Sequence, residues 1–421
     1  MEKTGGRRVR HLAIGLALLA GLASTHAQTV RTRAALTANP PASAAQQITQ
    51  AASASAEARL METYRLLAQG RGREALQRVE SLVHDHPNFQ LAQLVYGDLL
   101  LAQVQPLQAK GGGAGRLDDT TQKRLEQLRL EANRRLQAFR DRPKDGLLPA
   151  EFVELPLTSR HAIAVDITRS RLYLFENTAQ GLRLVSDHYA SIGLLGADKR
   201  IEGDQRTPLG VYYITSRLDA RQLTDFYGAG ALPLNYPNEY DRRLGRTGSG
   251  IWLHGVPRDS YVRPPQSTDG CVALANPELQ AILQTVQPRT TPVVIARSIE
   301  WVSRARAEPE RRALNNLIEG WRVARSKGDI DRLMSFYSPQ FASGSRNLTQ
   351  WRQLISRELG QSGGRNIHLK DLAILGWRDQ NDVLVVTFGE VVEGKRTGVL
   401  KRQYWGKEGG LWKIFYEGVI G

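Results

Sequence analysis

The chain has 421 residues, 41% hydrophobic and 24% charged, with a formal net charge of +15. That length and apolar content exclude a disordered tail or a single small module, and point to roughly two or three domains with real cores. The basic balance favours anionic partners, yet no run of basic residues interleaved with aromatics builds a nucleic-acid platform, so no nucleic-acid partner is expected.

At the N-terminus, Arg7, Arg8 and Arg10 precede an apolar stretch over 12–23, and Thr25-His26-Ala27 offers small residues for cleavage. This layout predicts a secretory signal peptide over 1–27, a periplasmic or cell-envelope address, and no stable membrane span after processing. Residues 28–56, rich in Ala, Gln, Ser, Thr and Pro, read as a flexible tether. A helical domain is expected over 57–142. Leu60, Tyr64 and Leu67 share one face, and Leu76, Val79 and Val83 another. Gly72, Ala75, Pro87 and Ala92 are spaced as in a single tetratricopeptide-type hairpin, too little for a solenoid. The glycine run at 111–115 breaks the helices as a hinge. Leu125, Leu128, Ala132, Leu136 and Phe139 mark a further amphipathic helix, able to pack on the hairpin or on a second copy.

Residues 143–156 read as a loop into a β-rich domain expected over 157–298. There the period switches to two at Ile163, Val165 and Ile167, with strands over 172–175, 210–215, 250–254 and 292–296. Asn276-Pro277-Glu278 starts a helix, with Pro in the first turn and an acid near the positive dipole end. A basic connector over 299–312 leads to a last unit expected over 308–421. Leu314, Leu317, Trp321 and Ala324 make one helix there, and Ile330, Leu333 and Phe336 a second. Strands follow over 369–375, 383–388, 398–404 and 412–416, an α+β layout.

Chemistry concentrates around the sole cysteine, Cys271, in Ser267-Thr268-Asp269-Gly270-Cys271, seventeen positions after His254 in Ile251-Trp252-Leu253-His254-Gly255. A lone thiol outside the cytoplasm has no internal disulfide partner, so a nucleophile is one reading and a small buried hydrophobe the other. In the first, His254 activates the thiol and the Gly255 carbonyl fixes the imidazole tautomer. Gly270 permits the turn, and the backbone N–H groups of Asp269, Gly270 and Cys271 face a developing oxyanion. No second thiol and only scattered histidines argue against a metal site, and no nucleotide motif is present, so no cofactor is expected.

These strings resemble the signature of the L,D-transpeptidase (YkuD-type) catalytic domain. That signature is a His-Gly followed by a Ser/Thr-His-Gly-Cys turn. Thr207-Pro208-Leu209-Gly210-Val211-Tyr212 is similar to the Thr-Pro-x-Gly strand start of the same domain, and residues 163–175 resemble its opening hairpin. The match covers about residues 158–297. Two departures stand out: Asp269 replaces the usual turn histidine, and Ala273 replaces a frequent arginine. The resemblance implies a β-sandwich and a peptidoglycan stem-peptide substrate. It implies attack by Cys271 on the diaminopimelate–D-alanine bond of a tetrapeptide, a thioester, and transfer to an amine or to water. Arg258, Tyr261, Arg263, Arg206, Arg243 and Thr268 are the candidate substrate-binding residues, the arginines because they can engage carboxylates bidentately. Trp321, Ala324-Arg325, Gly328-Asp329, Phe336-Tyr337, Phe341 and Trp412 resemble the nuclear-transport-factor-2-like fold, a cone that binds ligands or dimerises. The domain order is similar to that of cell-shape L,D-carboxypeptidases, which implies trimming to the tripeptide. A catalytically weak wall-binding scaffold is the competing expectation, favoured by Asp269. A homodimer through the helical or C-terminal domain is compatible with both.

Overall fold

The computed structural model describes residues 55–108, 118–362, 365–379 and 382–420. The signal expected over 1–27, nearly all of the tether and the glycine hinge lie outside these residues. The helical region holds α1 (Ala56–Ala68), α2 (Gly72–Asp85), α3 (Gln90–Gln108) and α4 (Asp119–Arg140). Ser55 caps α1 by accepting from the Ala58 N–H at 3.2 Å, and Asp118 caps α4 by accepting from Thr120 and Thr121. Leu60, Val79, Leu82, Phe89, Leu91 and Ala92 form its core, with Leu128, Ala132 and Leu136 of α4 at its margin. Phe139, expected on the same face, is instead 52% exposed, while Ala138 beside it is buried. Tyr261 and Ala275 of the next domain belong to this core.

The segment expected to be a loop over 143–156 contains β1 (Leu147–Pro149) and β2 (Phe152–Glu154). Three residues each is too short for a period-two signal, and both strands are fixed by distant partners. The catalytic-domain strands follow: β3 (His161–Asp166), β4 (Arg171–Thr178), β5 (Gly181–Tyr189), β6 (Ile192–Gly193), β7 (Gly210–Tyr213), β8 (Leu218–Asp219), β9 (Gly230–Pro233), β10 (Trp252–His254), β11 (Gln266–Thr268), β12 (Val272–Ala273) and β13 (Pro292–Ala296). One sheet runs β5-β4-β3-β13-β7 and a second β12-β10-β9-β8. Ile163, Leu174, Val211, Val294, Leu232, Leu253 and Val272 fill a single core between them. The short helix α5 (Glu239–Arg243) and α6 (Asn276–Thr285) flank the sheets.

The expected basic connector is also ordered. β14 (Trp301–Ser303) pairs with β1, and α7 (Arg304–Lys327) starts on a Ser303 cap that accepts from Arg306. Glu308 pairs with Arg311 and Arg312 along one helix face, which supports the first turns despite Pro309. The last unit adds α8 (Ile330–Met334), a small hairpin of β15 (Ala342–Ser343) and β16 (Arg346–Asn347), and α9 (Leu348–Ser362). The long strands β17 (Ile367–Arg378), β18 (Asp382–Val392), β19 (Val399–Glu408) and β20 (Leu411–Val419) complete it.

The sheet order there is β2-β17-β18-β19-β20. Alternation divides its side chains between two cores. Ile374, Leu384, Val386, Phe388 and Trp405 face the helices with Trp321 and Ile318, while Leu375, Trp377, Val383, Val385 and Tyr404 join the catalytic core. The face of this sheet turned away from the helices is therefore covered by the catalytic domain. Inside the cone, Arg325 donates to Glu390 at 2.7 Å, Lys401 to Glu390 at 3.1 Å and Tyr337 to Glu417 at 2.6 Å.

Candidate active site

β10 pairs in parallel with β12, placing Leu253 beside Val272 and His254 beside Ala273. Cys271 immediately precedes β12, and its Sγ reaches β10 through the Trp252 N–H at 3.4 Å, two residues before His254. Gly270 makes the entry to β12. Its φ of +123° is left-handed backbone, and a Cβ there would meet the Arg206 carbonyl at 2.6 Å. The Thr268 hydroxyl donates to the Cys271 carbonyl at 2.7 Å and accepts the Gly270 N–H at 3.1 Å. Thr268 thus braces the turn, and the Gly270 N–H, one of the three expected oxyanion donors, is engaged by its hydroxyl.

His254 is buried, and its Nδ1 lies 2.6 Å from the Gly255 carbonyl oxygen. A carbonyl only accepts, so Nδ1 carries the proton and Nε2 is the basic nitrogen. Gly255 itself is close-packed: a Cβ would meet Asn276 Oδ1 at 2.2 Å. Burial lowers the His254 pKa to about 4, with the Gly255 bond acting upward and the Arg263 charge downward.

The half-buried Cys271 thiol donates to the Gly250 carbonyl at 3.2 Å and accepts from the Trp252 N–H at 3.4 Å. Neither bond is to His254. Burial pushes its pKa up to about 11, the Trp252 N–H and the charges of Arg263 and Lys199 pull it down, and Asp269 pushes it up. Burial thus favours the neutral thiol and the neutral imidazole. Asp269 is exposed and accepts from Gln205 Nε2 at 3.2 Å.

The expected substrate-binding residues separate. Arg263 is at the site: its guanidinium carbon lies 4.2 Å from the Phe226 ring centre, and Phe226 stacks on His254 at 5.8 Å. Arg258 is exposed on the same loop, 3.4 Å from Asp225. The Arg206 side chain donates to the Ala197 carbonyl at 3.1 Å, while its own carbonyl backs the Gly270 turn. Tyr261 does not border the site: it is buried, stacks on Phe89 at 4.5 Å and donates to Glu278 at 3.1 Å. Arg243 is elsewhere again, donating to the Gln340 carbonyl at 2.7 Å and lying over Phe415, because α5 packs against the C-terminal sheet. Sequence reading did not single out Phe226 and Tyr227, which pack on the imidazole, or Trp252, which packs on Tyr227. Only the Phe226-Tyr227 pair carried a signal, as adjacent aromatics in an otherwise polar turn. Among the described residues no His/Cys/Asp/Glu cluster suits a metal, and no helix is long and apolar enough to cross a membrane.

Residues 160–295 match the L,D-transpeptidase catalytic domain, YkuD, and residues 313–418 match the Cds6 C-terminal NTF2-like domain. Among solved structures the chain is similar to Bdellovibrio bacteriovorus Bd1075, with 28% identity and a TM-score of 0.56 over 65% of this chain and 99% of that one. It shares its fold with the helical cell shape determining protein Pgp2 from Campylobacter jejuni, at 23% identity and a TM-score of 0.53 over 66% of this chain and 96% of that one. No curated protein sequence matches significantly. The chain therefore combines a helical N-terminal region, an L,D-transpeptidase domain and an NTF2-like domain.

Proposed function

From an L,D-transpeptidase domain, whose family comprises cysteine enzymes acting on peptidoglycan in the cell envelope, we propose that Cys271 is the nucleophile and His254 its base. The substrate is the diaminopimelate–D-alanine bond of a tetrapeptide stem. The observation that supports this reading is the parallel pairing of the His254 strand with the strand that starts immediately after Cys271, with Nε2 left as the basic nitrogen. Sγ bonds to the L-centre carbonyl carbon of diaminopimelate as its proton passes to Nε2. The tetrahedral intermediate collapses, the C–N bond breaks, and the imidazolium gives its proton to the departing D-alanine amine. A thioester remains. Water then adds to its carbonyl, losing a proton to the imidazole, and the C–S bond breaks to return the thiol. An amine acceptor in place of water gives a cross-link by the same steps.

Water is the acceptor that the site favours. Asp269 stands where the family carries a histidine, so no second imidazole is available in the turn to take a proton from an incoming ammonium. This reading makes the chain an L,D-carboxypeptidase that trims stems to tripeptides, with cell shape as its physiological output. The test is digestion of tetrapeptide muropeptides followed by mass analysis. The wild type releases D-alanine and leaves tripeptides, and Cys271→Ala releases none. Release by Cys271→Ala at the wild-type rate overturns the nucleophile. Dimers joined between two diaminopimelates overturn the preference for water. A wild type that releases nothing leaves the scaffold reading.

A further inference from the structure

Residues 255–265, which join the His254 strand to the Cys271 turn, form no helix or strand. A segment without its own ladder takes its conformation from what it docks against. Much of that docking comes from the helical domain. The turn between α2 and α3 supplies one arm. Asn88 Nδ2 donates to the Arg258 carbonyl at 3.1 Å, and the Asn88 carbonyl accepts the Tyr261 N–H at 3.2 Å. The Tyr261 ring stacks on Phe89 at 4.5 Å with His86 edge-on at 5.1 Å. The second arm is Arg135 of α4, buried and paired with Glu57 at 2.7 Å and Glu131 at 2.8 Å. Its guanidinium carbon sits 3.8 Å from the Tyr189 ring centre, and the Tyr189 hydroxyl donates to the Arg263 carbonyl at 3.0 Å. One arm therefore ends two residues before Arg263, at Tyr261, and the other on the Arg263 carbonyl; the Arg263 guanidinium covers Phe226, which in turn covers His254.

We propose that the helical domain is a positioning element for the active site: Phe89 and Asn88 through Tyr261, and Arg135 through Tyr189, hold Arg263 in place over Phe226 beside His254 and Cys271. This rests on the reading of Cys271 as the nucleophile. The physical consequence is electrostatic. A fixed guanidinium near a thiol favours its anion, and the Arg263 charge acts on both Cys271 and His254. Loosening either arm lets Arg263 move into water, where its charge is screened.

The experiment measures the alkylation rate of Cys271 by iodoacetamide against pH in the full chain, with the thermal midpoint as a folding control. Arg263→Gln sets the reference, moving the midpoint of the profile to higher pH. Phe89→Leu and Tyr261→Leu, which keep the site apolar, move it the same way and slow alkylation at pH 8 by about three- to tenfold. Tyr261→Phe, which keeps the ring stack, restores most of the rate. Phe89→Leu adds nothing further in an Arg263→Gln background, because both act on one group. If Phe89→Leu fails to fold, Asn88→Ala at the partly exposed turn takes its place. Folded Phe89→Leu, Tyr261→Leu or Asn88→Ala proteins with the wild-type midpoint overturn the proposal, as does full additivity with Arg263→Gln. A midpoint that responds as stated in a protein releasing no D-alanine supports the positioning and overturns the reaction.

Discussion

Cys271 and His254 rest as a neutral thiol and a neutral imidazole, so the thiolate must form as the substrate is attacked. The charges that set its cost are few. Arg263 and Lys199 favour the anion and Asp269 opposes it. Because Asp269 is exposed, its effect is partly screened, and its removal shifts the thiol by less than a buried charge would. Asp269→Asn is therefore expected to raise the alkylation rate of Cys271 at pH 8 by about two- to fivefold, since it removes an opposing charge and keeps an acceptor for Gln205. A rate unchanged or lowered in a folded Asp269→Asn protein contradicts this assignment of charges. Cys271, His254, Gly255 and Gly270 were legible in the sequence because the motif depends on local backbone: a strand end and a tight turn. Tyr261 and Arg243 were misplaced because their roles depend on elements distant in sequence. Phe89 receives the Tyr261 ring, and Phe415 and Gln340 receive the Arg243 guanidinium.

At the level of elements, the C-terminal sheet is shared property. Its strands are long and period-two alternation made them visible in the sequence, but alternation alone does not say that both faces are buried. β2, from before the catalytic domain, pairs with β17 at the sheet edge, with Ile374 beside Glu154 and Leu375 beside Phe152. Trp377 and Tyr404 pack with Tyr240 of α5 and belong to the catalytic core. Such a junction is expected to unfold as one cooperative body. Trp377 is 4% exposed. Trp377→Ala is predicted to destabilise the whole by about 3–5 kcal/mol, the range for large aromatic truncations in a core. Urea unfolding read by tryptophan fluorescence and by far-ultraviolet circular dichroism checks it: the two traces move together to lower urea. A split, with the catalytic domain unfolding at its original midpoint, counts against the shared core. β1, β2 and β14 escaped sequence reading for the same reason that they matter here. Each is a short patch whose identity as a strand is conferred by its partner.

Across the whole molecule, pH acts on buried groups in opposite directions. Burial lowers both His188 and His254 from the ordinary value to about 4. Below pH 6.5 or so the unfolded chain protonates these imidazoles while the folded one does not, so the stability they contribute is full above that pH and falls as pH drops towards 4. Each contributes about 3 kcal/mol over that window at about 1.4 kcal/mol per pH unit. Glu57, held down to about 2 against its own burial by Arg171 and Arg135, adds a further loss that begins only below its ordinary value of 4.5. Glu151 runs the other way: burial raises it to about 7, so its contribution is complete at acid pH and lost as pH rises through 7. His86 and His161 are lowered by burial in the same direction, while Glu131, Asp241 and Glu278 are raised by burial and act with Glu151; the large shifts of His188 and His254 are expected to make the chain less stable at pH 5 than at pH 7. His188 is the informative probe, because it sits beside the ion network that ties α1 and α4 to β4 and β5, away from Cys271. His188→Asn, which replaces the titrating ring with a neutral polar group, should reduce the drop in urea midpoint between pH 7 and pH 5, leaving the His254 share in place. A His188→Asn protein that folds and keeps the full wild-type drop would place the acid sensitivity away from the ion network between the helical and catalytic domains.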